Sequence, residues 1–222
     1  MKIKFNKYDE FRIRSLSGRY ITNDSISQLT EISSYSEIGK SSNNLPIYYL
    51  KIGCGPIKIL IWSQMHGNES TSTKALFDTI SYFLNIEKKF LSYFTLHIIP
   101  ILNPDGSLLY TRENFNKIDL NRDASSLSQN ESIVLRDLYN KIQPDFCFNL
   151  HDQRSIYSVA DTNKPSILSF LSPAADLKKS ETNSRITSMK VISSINNQLN
   201  KLIKGHISRY KDEYNPNCVG DT

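Results

Sequence analysis

The sequence predicts an α/β fold: a mixed, mostly parallel sheet with helices on both faces. Three observations predict it. Short runs rich in β-branched and aromatic residues recur at 47–52, 57–63, 94–100 and 145–150. Segments with helical spacing of apolar residues lie between or after them, at about 70–85, 130–142 and 181–204. Strands alternating with helices pack as a largely parallel sheet, and the chemistry of such sheets collects beyond the carboxyl ends of the strands.

Taken in order, residues 1–35 are polar and mixed and read as an N-terminal appendage. A short helix is predicted there over 24–33, with Asp24 or Ser25 as N-cap. IYYLKI (47–52) and IKILIWS (57–63) read as strands joined by the turn GCGP (53–56). The helix over 70–85 aligns Leu76, Ile80, Phe83 and Leu84 on one face. FTLHIIP (94–100) is the next strand and runs into a polar stretch, 101–130, with little periodicity. A loop that long in a compact domain is usually functional. Within it NPDG (103–106) predicts a tight turn with a structural role. Val134, Leu138 and Ile142 align on the helix over 130–142, and DFCFNL (145–150) is a strand with Cys147 as a small core residue. The last helix, 181–204, places Ile192, Ile195, Leu199 and Leu202 on its buried side.

Composition narrows the function classes. With 222 residues, 39% hydrophobic and 22% charged, the chain has the make-up of an ordinary globular domain able to bury a core. No apolar run is long enough to cross a bilayer, and MKIKFNKYDEFRIR lacks the apolar centre of a signal peptide. A cytoplasmic protein with no membrane partner is expected. Cys54, Cys147 and Cys218 are far apart and form no CxxC pair, which argues against a disulfide framework or a thiolate metal site. The net charge of +5 comes from scattered lysines, so no nucleic-acid partner is expected.

The chemistry begins at SQMHGNES (63–70), directly after a strand. His66 and Glu69, three residues apart in a strand-to-helix turn, can reach one ion from the same side, and Gly67 permits a sharp turn. Alone, the same residues also read as a polar turn capping the following helix. His151, after the strand DFCFNL, supplies a possible third ligand. Two histidines and a carboxylate are a common catalytic zinc set, with one position left for water. His97, within a strand, and His206, after Gly205, read as structural or surface residues.

TRENFNKIDLNRD (111–123) adds to this. In order, HGNE, NPDG, R…DLNR and LH resemble the zinc carboxypeptidases of the M14 family, over about residues 36–151 and more loosely to the end. The resemblance implies a zinc carboxypeptidase-like fold for 36–222 and one zinc ion held by His66, Glu69 and His151. It implies that Asp119 orients a ligand histidine, that Asn121 and Arg122 hold the terminal carboxylate of a peptide or amino-acid-derived substrate, and that Arg112 stabilises the oxyanion. The implied reaction is hydrolysis of a C-terminal peptide bond by metal-activated water.

One part of the family pattern is not matched. The family places its general-base glutamate on a late strand, whereas after His151 the only glutamates are Glu181, at a helix start, and Glu213, in a polar tail. Nor do Tyr210 and Tyr214 match the family's substrate-side tyrosine. A domain truncated before its closing segment is therefore expected, with activity impaired. Two alternatives stay open: an amidoacyl deacylase resembling aspartoacylase or succinylglutamate desuccinylase, and a non-catalytic zinc-binding protein.

Overall fold

The strand sequences account for a sheet whose order is not the order of the chain. The computed structural model describes residues 5–29, 35–152, 158–159, 162–172, 174, 176–199, 201–203 and 205–209. These fall into two compact units, Met1–Asp123 with Leu127–Asp152, and Ala124–Ser126 with Gln153–Thr222.

The first unit holds five strands: β1 (Ser36–Lys40), β2 (Pro46–Gly53), β3 (Ile57–Trp62), β4 (Phe94–Ile99) and β5 (Phe146–Asn149), in the order β1-β2-β4-β3-β5. β1 and β4 both run antiparallel to β2, whereas β3 runs parallel to β4 and to β5. With the parallel pair of the second unit, β6 (Leu168–Phe170) and β7 (Ile207–Arg209), three of the five described strand pairings are parallel. β1 was not expected from the sequence, because SEIGK has no apolar alternation and becomes a strand only by pairing with β2.

The turn after β2 does not make a hairpin. Its backbone is bonded to the start of β4 and to the 3-10 turn before it: Cys54 N–H donates to Leu91 O at 2.9 Å, and Thr95 Oγ1 donates to Gly55 O at 2.7 Å. Gly55 has to be glycine here, since a Cβ would stand 2.0 Å from the Tyr93 carbonyl carbon. β4 can therefore insert between two strands adjacent in sequence.

Helix α2 (Thr71–Asn85) covers one face of the sheet. Its Leu76, Phe77 and Ile80 pack on Leu50, Ile52, Leu96 and Ile98 in the main core. Removing the ring of fully buried Phe77 is expected to cost about 3–5 kcal/mol. Residues 16–29, read from sequence as part of an appendage, give Leu16, Ile21, Ile26 and Leu29 to this same core. The helix in that region, α1, is short (Asn23–Ser27), and residues 30–33 of the expected span lie outside the described residues.

On the opposite face, helix α4 (Asn130–Ile142) brings Leu138 and Ile142 beside Tyr49, Lys51, Thr95 and His97, around a cavity of about 560 Å³. Cys147 is exposed rather than in a core, because β5 ends the row of described strands and is open along its length. The second unit contains β6 (Leu168–Phe170), α5 (Asn183–Leu199) and β7 (Ile207–Arg209). α5 stops short of the expected 204, so Leu202 lies beyond it and is 56% exposed. Among the described residues no helix is long and apolar enough to cross a membrane.

Candidate metal centre

The parallel register of β3 and β5 ends both strands at the same level: Trp62 pairs with Asn149, and Leu150 N–H donates to Trp62 O at 3.0 Å. The chain leaves β3 four residues before His66 and leaves β5 two residues before His151. Neighbouring strand ends thus deliver two histidines that are 85 positions apart in sequence.

The turn that carries His66 is rigid for specific reasons. Gln64 adopts a left-handed φ of 44°, and its buried amide donates to Gly67 O at 2.8 Å and to Ile21 O at 3.0 Å. Thr73 Oγ1 donates to the other end of that amide at 2.7 Å. Gly67 passes so close to Gly106 that a Cβ would stand 1.9 Å from the Gly106 carbonyl carbon. NPDG is not a tight turn but the start of helix α3 (Pro104–Leu109). Asn103 caps it by accepting from Gly106 N–H at 2.8 Å, with Pro104 at the first helical position, where its missing N–H costs nothing.

At the strand ends, one ligand atom from each of His66, Glu69 and His151 lies within 4.8 Å of the others. Glu69 stands between the two imidazoles: Oε1 is 2.9 Å from His66 Nδ1, and Oε2 is 2.7 Å from His151 Nδ1. Asp119 Oδ1 takes the other nitrogen of His66, Nε2, at 3.0 Å. Arg112 closes the cluster, donating from Nε and Nη2 to Asp119 Oδ2 at 3.1 and 2.9 Å, with Nη1 3.5 Å from Glu69 Oε1. A partly exposed ion pair of this kind adds at most about 1 kcal/mol, so its main effect is to fix direction.

These contacts set the protonation states of the metal-free chain. Burial opposes a charge on Glu69, but its bonds to His151 and His66 outweigh that and hold the carboxyl well below its usual range. Asp119 is held low in the same way, against burial, by His66 and Arg112. Burial also opposes a proton on His66, yet its bonds to Asp119 and Glu69 prevail and raise its pKa. The donor set suits zinc: two imidazoles and one carboxylate converge, and a second carboxylate on the far nitrogen of His66 fixes which nitrogen faces the ion.

The remaining predicted residues lie in the same unit. Asn121 N–H donates to Asp119 Oδ1 at 2.9 Å in a 3-10 turn, Leu120–Arg122, that Asp119 caps. Arg122 is exposed, and its Nη1 donates to Asn121 O at 3.1 Å. Glu181 is exposed in the second unit; Tyr210, Glu213, Tyr214 and Cys218 lie outside the described residues. Sequence reasoning missed Asn114. Its Oδ1 accepts from Asn116 and Ile118 N–H at 3.1 and 3.0 Å, and its Nδ2 donates to Gln129 Oε1 at 2.9 Å, which shapes the loop between Arg112 and Asp119. Nothing in the spacing of asparagines marks such a role.

The zinc carboxypeptidase family model, M14, matches residues 22–125. That region of the chain is similar to the zinc carboxypeptidases. Relatives agree. The chain is 30% identical over 128 residues to Carboxypeptidase SOL1 of Arabidopsis thaliana, a match covering 49% of the chain and 26% of that protein. Carboxypeptidase A from Helicoverpa armigera superposes with a TM-score of 0.67 at 17% identity, over 99% of this chain and 67% of that one. A metallo-carboxypeptidase from Pseudomonas aeruginosa, solved in complex with (2-guanidinoethylmercapto)succinic acid, gives 0.62 at 17% identity, over 91% and 54%. The two structures share the carboxypeptidase fold with this chain. The chain spans between 19% and 33% of the length of the curated relatives it matches.

Proposed function

We propose that this chain carries the zinc-binding and substrate-carboxylate-reading part of a metallocarboxypeptidase. The observation that carries the reading is the convergence of His66, Glu69 and His151, with Asp119 behind His66 and Arg112 at its edge. The carboxypeptidase family and fold support a hydrolase.

When bound, zinc supplies Lewis acidity, polarising the scissile carbonyl and activating water. His66, Glu69 and His151 would hold it. Asp119 accepts from Nε2–H of His66, which leaves Nδ1 as the ligating nitrogen and keeps the ring oriented. Arg112, bonded to Asp119, would donate to the oxyanion that develops on the carbonyl. Asn121 and Arg122 would receive the free carboxylate of a peptide or amino-acid-derived substrate, for which a guanidinium fork is well shaped. No described residue is assigned as general base.

The test is zinc content per chain for wild type and His66→Ala, together with hydrolysis of an N-blocked dipeptide and of N-acetylaspartate. One zinc in wild type, lost in the variant, with cleavage of the dipeptide alone, is the expected result. Cleavage of N-acetylaspartate alone would identify a deacylase, and zinc without turnover a binding protein. Wild type with no zinc would remove the metal reading.

A further inference from the structure

Helix α2 begins immediately after Glu69, and its own N-cap residue does not cap it. Ser70 has helical backbone angles and makes no capping bond; its hydroxyl donates instead to Arg19 O at 2.7 Å. The first N–H groups of a helix need acceptors. They find one 80 residues away: Thr71 N–H donates to Asp152 Oδ2 at 3.0 Å, and Ser72 N–H donates to Asp152 Oδ1 at 2.9 Å. The backbone of Asp152 turns back on the cluster, its N–H donating to Glu69 Oε2 at 3.2 Å. That same oxygen is the one beside His151.

Asp152 therefore touches both halves of the candidate centre without supplying a ligand atom. Its side chain holds the helix start that follows Glu69. Its backbone is continuous with His151 and bonded to Glu69. A carboxylate at the positive end of a 15-residue helix is favourably placed, so the clamp is held by charge as well as by two hydrogen bonds. A cap from Ser70 would serve the helix equally well and leave His151 unlinked to it.

We propose that Asp152 is a positioning residue for the metal centre, clamping the segment that bears His151 onto the turn that bears His66 and Glu69. The proposal rests on the metal reading above. Loss of the clamp lets the third ligand drift from the other two, which lowers affinity for zinc before it unfolds the chain.

The experiment measures zinc affinity by chelator competition, with the visible spectrum of the cobalt(II)-loaded protein and Tm, in four proteins: wild type, Asp152→Ala, Asp152→Asn and Asp78→Ala. Asp78 is the control, because it also anchors α2 to a distant segment, accepting from Ile13 N–H at 2.7 Å, but away from the ligands. Asp152→Ala is expected to weaken zinc by about 10- to 100-fold, as for other residues that support ligands, and to alter the cobalt spectrum. Asp152→Asn keeps one acceptor oxygen and should fall between; it also carries the test if the alanine variant fails to fold. Asp78→Ala should lower Tm and leave zinc affinity unchanged. Wild-type affinity in both Asp152 variants, or loss of zinc in Asp78→Ala and Asp152→Ala in proportion to Tm, would overturn the clamp and leave the metal reading intact. A wild type that binds no zinc would remove both.

Discussion

Two buried histidines, His66 after β3 and His97 within β4, are 2% and 8% exposed, yet their surroundings are opposite. Both ring nitrogens of His66 face carboxylates, Glu69 and Asp119. His97 Nδ1 meets the Tyr49 hydroxyl at 2.6 Å, and Nε2 has no hydrogen-bond partner among the described residues. Around it the cavity lining contributes Lys51, Lys58 and Lys141 and no acidic group. Burial alone does not make a histidine a candidate metal ligand. What distinguishes His66 is anionic support brought from elsewhere in the chain, and a second imidazole whose ring lies 4.7 Å from its own.

The sharpest way to break this comparison is Gly67→Ala. The added methyl collides with backbone of α3 rather than with a movable side chain, so a loss of about 3 kcal/mol or more is expected, together with zinc binding. Urea unfolding and zinc content check it; retention of both would mean that the turn has slack the geometry does not show. Next in size, Asp119→Asn should reduce zinc affinity by about 10- to 100-fold with little change in Tm, read by chelator competition. Tyr49→Phe tests the other histidine. It removes the partner of His97 and should cost about 1 kcal/mol in denaturant unfolding, while zinc affinity stays at the wild-type value. A fall in zinc affinity there would contradict the separation of the two regions.

The smallest effect is one of pH, in the metal-free protein. His66 is raised above its ordinary value of 6.5 by its carboxylates despite burial, so its contribution to stability is full below 6.5 and disappears as pH rises through the folded value. His97 is lowered, by burial first and then by Lys51 and Lys58. Its contribution is full above 6.5 and is lost as pH falls from there through the folded value. NMR titration of the two imidazoles should therefore give midpoints on opposite sides of 6.5. Midpoints on the same side would mean that the neighbours do not control the charge as described.

Much of the element list was legible because it is local. The strands at 46–53, 57–62 and 94–99 and the helices at 71–85 and 130–142 follow from runs and spacings within a dozen residues. β1 was not, since SEIGK gains its strand only from β2, and the separation of β2 from β3 depends on a strand 40 residues downstream. NPDG was misread because the side chain of Asn103 turned a turn sequence into a helix start. Cys147 was misplaced because an apolar run does not reveal whether its strand lies inside or at the edge of a sheet.

The sequence by itself named His66, Glu69, Arg112, Asp119 and His151, through HGNE, R…DLNR and the histidine after DFCFNL, but not Asp152, which also bonds Glu69. Their roles towards one another were decided by tertiary structure. Only the parallel pairing of β3 with β5 sets His151 beside His66, only the loop shaped by Asn114 brings Arg112 and Asp119 to it, and only the fold gives α2 a cap 80 residues away. The physical reason is range. Hydrogen-bonding capacity and charge belong to single residues, whereas distance between remote residues exists only once the sheet has closed.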